Sequence, residues 1–172
     1  MLHLPLEPHQ NDEHYPEDYI IKTTMPKDLV VRRFNESLDD VPHATGVNNH
    51  MGSKATESAL LMGTIFDELK NRNLFFIDSR TTSKSVCRSL AKEKNIPFAE
   101  RDVFLDNVNT REAIEQQFEE VAEKARKKGY VIAIGHAREL TWKIIKEQTE
   151  LLTEEGYEVV SAESLVNYLS NR

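Results

Sequence analysis

Cysteine is nearly absent from this chain of 172 residues. With Cys87 alone, no disulfide forms within the chain and no cysteine-based zinc motif can be assembled. Long apolar runs are missing too. Nothing approaches the roughly 18 residues of a membrane span, and no secretory signal opens the sequence, so the chain as it stands is not expected to be exported. There is no basic excess: 22 Lys and Arg against 29 Asp and Glu leave a formal charge of −7. That balance argues against a nucleic-acid partner and against attraction to anionic lipid. No strand-like segment leads into a glycine-rich cradle, which disfavours a phosphate-binding α/β protein. Internal repeats, linkers and low-complexity tracts are also lacking.

What remains is the composition of a soluble globular protein, 39% hydrophobic and 30% charged. The length suits one domain that buries roughly 70% of its unfolded surface. Short apolar runs alternate with longer amphipathic ones. "LHLPL" (2–6) reads as a strand, followed by a polar, proline-bearing loop over 9–26. Pro26 opens a helix with Val30, Val31, Phe34 and Leu38 at helical spacing. "ATGVN" (44–48) reads as a short buried strand, Ser53 to Arg72 as a helix, and "LFFID" (74–78) as a strand. "SKSVCRSLAKEKN" is helical, and "IPFAE" with "VFLD" gives one or two short strands.

The clearest helix spans 109–129. Asn109 and Glu112 have capping-box spacing, and Lys127, Lys128 and Gly129 close it. "YVIAIG" (130–135) is apolar throughout, which predicts a strand buried on both faces. A helix stopped by Gly156, a last strand "YEVVSA" and a last helix "ESLVNYLS" follow. This βα rhythm predicts a parallel sheet, either open or closed into a barrel.

Parallel βα folds bind ligands at the carboxyl ends of their strands. This chain places polar residues there: His3 with Glu7 four residues on; Asn48, Asn49 and His50; Asp78, Ser79 and Arg80; Asp102 and Asp106 around "VFLD"; and His136 after Gly135. Histidine with carboxylate suits zinc or another divalent ion. A further histidine outside the metal shell could protonate a leaving group. Asn48 and Asn49 could orient ligands or meet substrate, and Arg80 could pair with Asp78 or steady a developing anion. The expectation is that the fold gathers these strand ends at one face.

Plainer roles stand beside these. Asp78 before "SRTTS" also suits a turn or helix cap, and His50 could close a loop. His9, His14 and His43 lie in polar loop contexts that predict solvated rings. Asp39 and Asp40 read as surface charge. Cys87 and Trp142 read as packing residues.

Five segments, "HLPLEP", "GVNNHMGSKAT", "FFIDSRTT", "ERDVFLDN" and "AIGHARELT", resemble in order the successive signatures of the divergent polysaccharide deacetylases. These are relatives of the esterases that remove acetyl groups from chitin and peptidoglycan. The resemblance runs nearly end to end. It implies a deformed (β/α) barrel with mostly parallel strands, as a single domain over 1–172 lacking its first βα units. It also implies metal-dependent hydrolysis of an acetamide or ester on a carbohydrate, in an extracytoplasmic or cell-envelope setting.

In the related enzymes an aspartate and two histidines hold the metal, most often zinc, a second aspartate is the base, and a late-strand histidine is the acid. His136 matches that late histidine, and His3 resembles the first of a His-x-x-x-His pair. The fourth residue on is Glu7, so Glu7 or His50 would complete the ligands with His3. Asp78 falls in the segment that assists the acid or the substrate. The resemblance implies an earlier strand with paired aspartates ahead of Met1, so the expectation is a shortened gene product or a start codon set late. Three expectations follow: little or no deacetylase activity by this polypeptide alone, a non-catalytic glycan-binding or cell-envelope pseudoenzyme as the alternative, and self-association through an exposed barrel edge.

Overall fold

The computed structural model describes residues 1–10 and 17–170. Among the described residues the elements run β1 (Leu2–Leu6), α1 (Lys27–Asp39), β2 (Gly46–Met51), α2 (Ala59–Asn71), β3 (Phe75–Asp78), α3 (Cys87–Lys94) and β4 (Phe98–Glu100). They continue with β5 (Val103–Phe104), α4 (Arg111–Lys128), β6 (Ala133–Ile134), α5 (Glu139–Glu154) and α6 (Ala162–Ser170). The chain packs as two compact units, Met1–Glu100 with Ala162–Arg172, and Arg101–Ser161.

The first unit is built on a four-stranded sheet in the order β1-β2-β3-β4, with every pairing parallel. Parallel neighbours need crossovers, and α1, α2 and α3 supply them. Leu2, Leu4 and Leu6 alternate with His3 and Pro5 along β1, so its leucines enter one apolar core with Val47, Phe66 and Phe76. The Phe66 and Phe76 rings meet at 5.1 Å and 54°, a tilted pair that contributes about 1 kcal/mol beyond its buried area.

The second unit pairs β5 with β6, again in parallel, against α4 and α5. Val103, Leu105, Ile114, Phe118, Val121 and Ile144 form its core. Gly129, at φ 80°, takes the left-handed position that ends α4, where a side chain would be strained.

Several expected boundaries move, each for a local reason. The helix expected from Ser53 begins at Ala59. Before it, the Lys54 and Ala55 N–H groups donate to the Glu7 carbonyl, and Ser58 caps α2 by accepting the Leu61 N–H. Thr110, not Asn109, caps α4, its hydroxyl accepting the Ala113 N–H. The strand expected over 130–135 contracts to Ala133–Ile134 and is half-buried, because among the described residues β5 is its one partner. "YEVVSA" is no strand: its backbone joins no ladder among the described residues, and Val159 is 64% exposed. Trp142 is 69% exposed and not a packing residue.

Candidate functional site

In the first unit the β1–β2 register sets His3 beside Asn48 and Pro5 beside His50. Side chains alternate along a strand, so His3, Asn48 and His50 share one face of the sheet. His3 Nδ1 lies 3.0 Å from Asn48 Oδ1, and His3 Nε2 lies 3.1 Å from His50 Nδ1. The two rings meet edge to face at 4.9 Å. Two imidazole nitrogens therefore converge on one face of the sheet, across the β1–β2 pairing.

Asn49 is 1% exposed and committed to the scaffold. Its Oδ1 accepts the Ser79 N–H at 2.8 Å and its Nδ2 donates to the Met51 carbonyl at 2.8 Å. Ser79 in turn donates its hydroxyl to the Asn49 carbonyl at 2.7 Å, stitching the ends of β2 and β3 together.

Asp78 is not part of the histidine group. Ile77 lies beside Asn48 in register, so Asp78, the next residue, falls on the opposite face. Its carboxylate accepts the Arg80 N–H at 2.7 Å and the Ser85 hydroxyl at 2.6 Å. Burial pushes its pKa up, aided by Glu100; the bonds from Ser85 and Arg80 only partly offset this. Arg80 adopts a left-handed backbone at φ 53° and reaches Glu100 at 3.4 Å, a carboxylate that Arg88 also contacts.

Glu7 is likewise engaged elsewhere. It pairs with Lys54 at 2.8 Å and accepts the Thr23 N–H and hydroxyl at 2.7 and 2.6 Å. Burial opposes its charge, but Lys54 and Thr23 outweigh it and hold the carboxyl below the usual range. Cys87 is buried, and its thiol is pushed up to about 12 by burial and by the neighbouring Asp78 carboxylate. His9 meets Glu57 at 3.2 Å, His43 is exposed, and His14 lies outside the described residues.

The second unit holds the other imidazole. Asp106, just beyond β5, is 0% exposed, yet its carboxylate is surrounded by donors. Both oxygens accept the His136 backbone N–H at 3.1 Å, and Oδ1 lies 3.0 Å from His136 Nδ1. Oδ2 accepts the Thr141 hydroxyl at 2.8 Å and, more weakly, Arg138 Nη1 at 3.4 Å. Burial opposes ionisation, but the bonds from His136 and Thr141 prevail and hold the carboxyl below the usual range.

Gly135 makes this close approach possible, because a Cβ there would meet the Thr141 methyl at 3.0 Å and Asp106 Oδ1 at 3.4 Å. Phe104 stands edge to face with His136, ring centres 5.2 Å apart. The sequence placed Asp106 at a strand end but gave it no role. Its "LDN" context looks like an ordinary turn, and its use depends on a histidine 30 residues away.

His3 and His50 are two convergent donors, whereas a catalytic zinc takes three protein ligands. Among the described residues no group of three or more His, Cys, Asp or Glu is placed to hold a metal ion. The described residues thus do not complete a metal site. Nor is any described helix long and apolar enough to cross a membrane.

Residues 1–166 match the family described as divergent polysaccharide deacetylase. An uncharacterized protein of Haemophilus influenzae is 36% identical over 155 residues, which cover 90% of this chain and 55% of that protein. The uncharacterized protein YibQ of Escherichia coli is 31% identical over 167 residues, 97% of this chain and 51% of YibQ. The chain spans about half the length of these curated relatives. The crystal structure of the uncharacterized protein ATU2773 from Agrobacterium tumefaciens C58 superposes with a TM-score of 0.91 at 23% identity, covering 95% of this chain and 66% of that one. The expected α/β fold with parallel strands is thereby borne out. By its sequence this chain belongs to the divergent polysaccharide deacetylase family.

Proposed function

We propose that this chain carries part of a hydrolase that removes acetyl groups from a carbohydrate, with His136 as general acid and Asp106 as the residue that holds it. The observation behind this reading is the buried, ionised carboxylate bonded to His136 Nδ1. A carboxylate only accepts hydrogen bonds, so the His136 proton facing it sits on Nδ1. The ring's exchangeable proton is then carried at Nε2. The Asp106 carboxylate orients the ring through Nδ1, and its second bond, to the His136 backbone N–H, fixes the ring's approach. In the forward reaction water adds to the acetyl carbon and loses a proton to solvent. Nε2 gives its proton to the leaving nitrogen, or oxygen, as that atom's bond to the acetyl carbon breaks, and the acetyl group departs as acetate. A positioned acid of this kind contributes roughly 10²–10⁴-fold.

His3 and His50 are proposed as two ligands of a divalent ion, zinc being suited to imidazole. The described residues supply no third ligand, and turnover by this chain is expected to be slow. The same two-donor set favours a second reading, a glycan-binding protein without chemistry. An extracytoplasmic or cell-envelope setting, where acetylated polysaccharide lies, goes with either reading.

The test is to add an acetylated glucosamine oligomer to zinc-supplemented protein, following acetate release and the His136 ring signals by NMR. Acetate release with His136 perturbed supports the hydrolase. Saturable binding without acetate supports the second reading. Neither binding nor release would remove both.

A further inference from the structure

We infer that Asn48, anchored by Ser79, is a positioning residue that fixes the His3 tautomer, with the proton on Nδ1 and the lone pair of Nε2 aimed at His50. The inference goes beyond the proposed function and rests on it only where a cation is added below.

The argument starts from the main chain. A backbone carbonyl cannot donate, so the 2.7 Å contact between Ser79 Oγ and the Asn49 carbonyl uses the one proton of the Ser79 hydroxyl. Ser79 is held in place as well by its own N–H, which donates to Asn49 Oδ1 at 2.8 Å. Having given its proton away, Ser79 Oγ meets Asn48 as an acceptor. The Asn48 atom facing it at 3.2 Å is therefore the amide nitrogen. That settles an orientation which an isolated asparagine side chain leaves ambiguous.

With Nδ2 directed to Ser79, Asn48 presents Oδ1 to His3 Nδ1 at 3.0 Å. An amide oxygen only accepts, so His3 Nδ1 carries the hydrogen. In the neutral ring Nε2 is then bare. Asn48 is nearly buried, so its unmade bonds would not be replaced freely by water.

His3 Nε2 faces His50 Nδ1 at 3.1 Å, and two lone pairs do not attract. In the metal-free protein, with both rings neutral, His50 Nδ1 is accordingly the donor. The two histidines differ as a consequence. His3 carries its lone pair at Nε2 and needs no change of tautomer to bind a cation there once the His50 hydrogen is withdrawn. For His50 to bind the same cation through Nδ1, its proton must leave Nδ1 and be taken up at Nε2. The hydrogen-bonded series runs one way, from His50 through His3, Asn48 and Ser79 to the β2 main chain. A partner that orients an imidazole ligand from behind typically changes metal affinity 10–100-fold when removed.

The experiment is imidazole 15N NMR on the whole chain at a pH where both rings are neutral. The wild-type protein is expected to show His3 protonated at Nδ1 and bare at Nε2; a His3 protonated at Nε2 overturns the inference, with no variant needed. Asn48→Leu is expected to release His3 toward the Nε2-protonated form. Asn48→Asp keeps an acceptor and should retain the wild-type tautomer. Ser79→Ala should give a mixture, because the amide can then turn over. Unchanged His3 signals in both Asn48→Leu and Ser79→Ala would defeat the proposal. On addition of Zn²⁺ alone, His3 should be perturbed at Nε2 with Nδ1–H preserved, and a bond through His3 Nδ1 would contradict it. A protein that takes up no Zn²⁺ counts against the metal reading; the metal-free spectra still decide the tautomer.

Discussion

Asp106 Oδ1 and His136 Nδ1 lie 3.0 Å apart, and the same carboxylate accepts the His136 backbone N–H through both oxygens. One side chain therefore fixes both the ring and the segment that carries it. Thr141, in the first turn of α5, donates a further bond. Sequence distance hides the arrangement, but the β5–β6 pairing imposes it, because both residues follow the carboxyl ends of adjacent parallel strands.

Replacing Asp106 with Asn should destabilise the protein by about 2–4 kcal/mol at pH 7, because charge-assisted bonds in a buried setting are lost. The carboxyl is held below the ordinary aspartate value of 3.8. Its contribution is then fully present above that value and fades as pH falls through the depressed folded value. Urea unfolding of both proteins from pH 7 downward should show the gap closing only at the acid end. A gap constant with pH would contradict the assignment.

Asp78 calls for the opposite sign. Its folded pKa is raised, so its favourable contribution belongs to low pH and is lost as pH rises through the folded value. Asp78→Asn can keep the bonds to the Arg80 N–H and Ser85 while removing a buried charge. It is expected to be neutral or stabilising by about 1 kcal/mol at pH 7. Thermal unfolding measures this, and catalytic turnover should survive the change. Abolished turnover in a folded Asp78→Asn protein would return Asp78 to the chemistry.

The α4 cap separates two adjacent candidates. Thr110→Ala should cost about 1 kcal/mol, since the Ala113 N–H loses its acceptor. Asn109→Ala, at an exposed residue outside the cap, should change urea stability by less than about 0.5 kcal/mol.

Cys87 should resist alkylation in the native state. A thiol pushed up to about 12 has almost no thiolate at pH 8, and the side chain is buried besides. Iodoacetamide labelling followed by mass spectrometry should track global unfolding; rapid labelling of folded protein would refute the burial.

Much of the architecture was legible because apolar periodicity reports what a segment buries. The leucines of β1 and the long amphipathic α4 stand where their patterns put them. "YEVVSA" misled because valine content measures suitability for a strand and not the presence of a neighbour to pair with. "YVIAIG" misled similarly: a continuous apolar run implies two covered faces, and the segment has one partner strand among the described residues. Residue type alone predicts a packing role for Trp142 but carries no information about orientation, and the side chain is exposed.

At the candidate site, the residue types were visible but their faces were not. His3, Asn48 and His50 come together because register and two-residue alternation agree, and the same alternation turns Asp78 away. Glu7 has the spacing of a ligand, but Lys54 and Thr23 satisfy it first. Asp106 became recognisable only through its bonds to His136.

The most direct test is single-turnover acetate release from an acetylated glucosamine oligomer by the zinc-supplemented wild-type protein and by His136→Gln. Release by the wild type should be slow, and the substitution should lower the rate roughly 10²-fold or more with little change in oligomer binding. Equal rates in the two proteins would contradict the assignment of His136 as the proton donor.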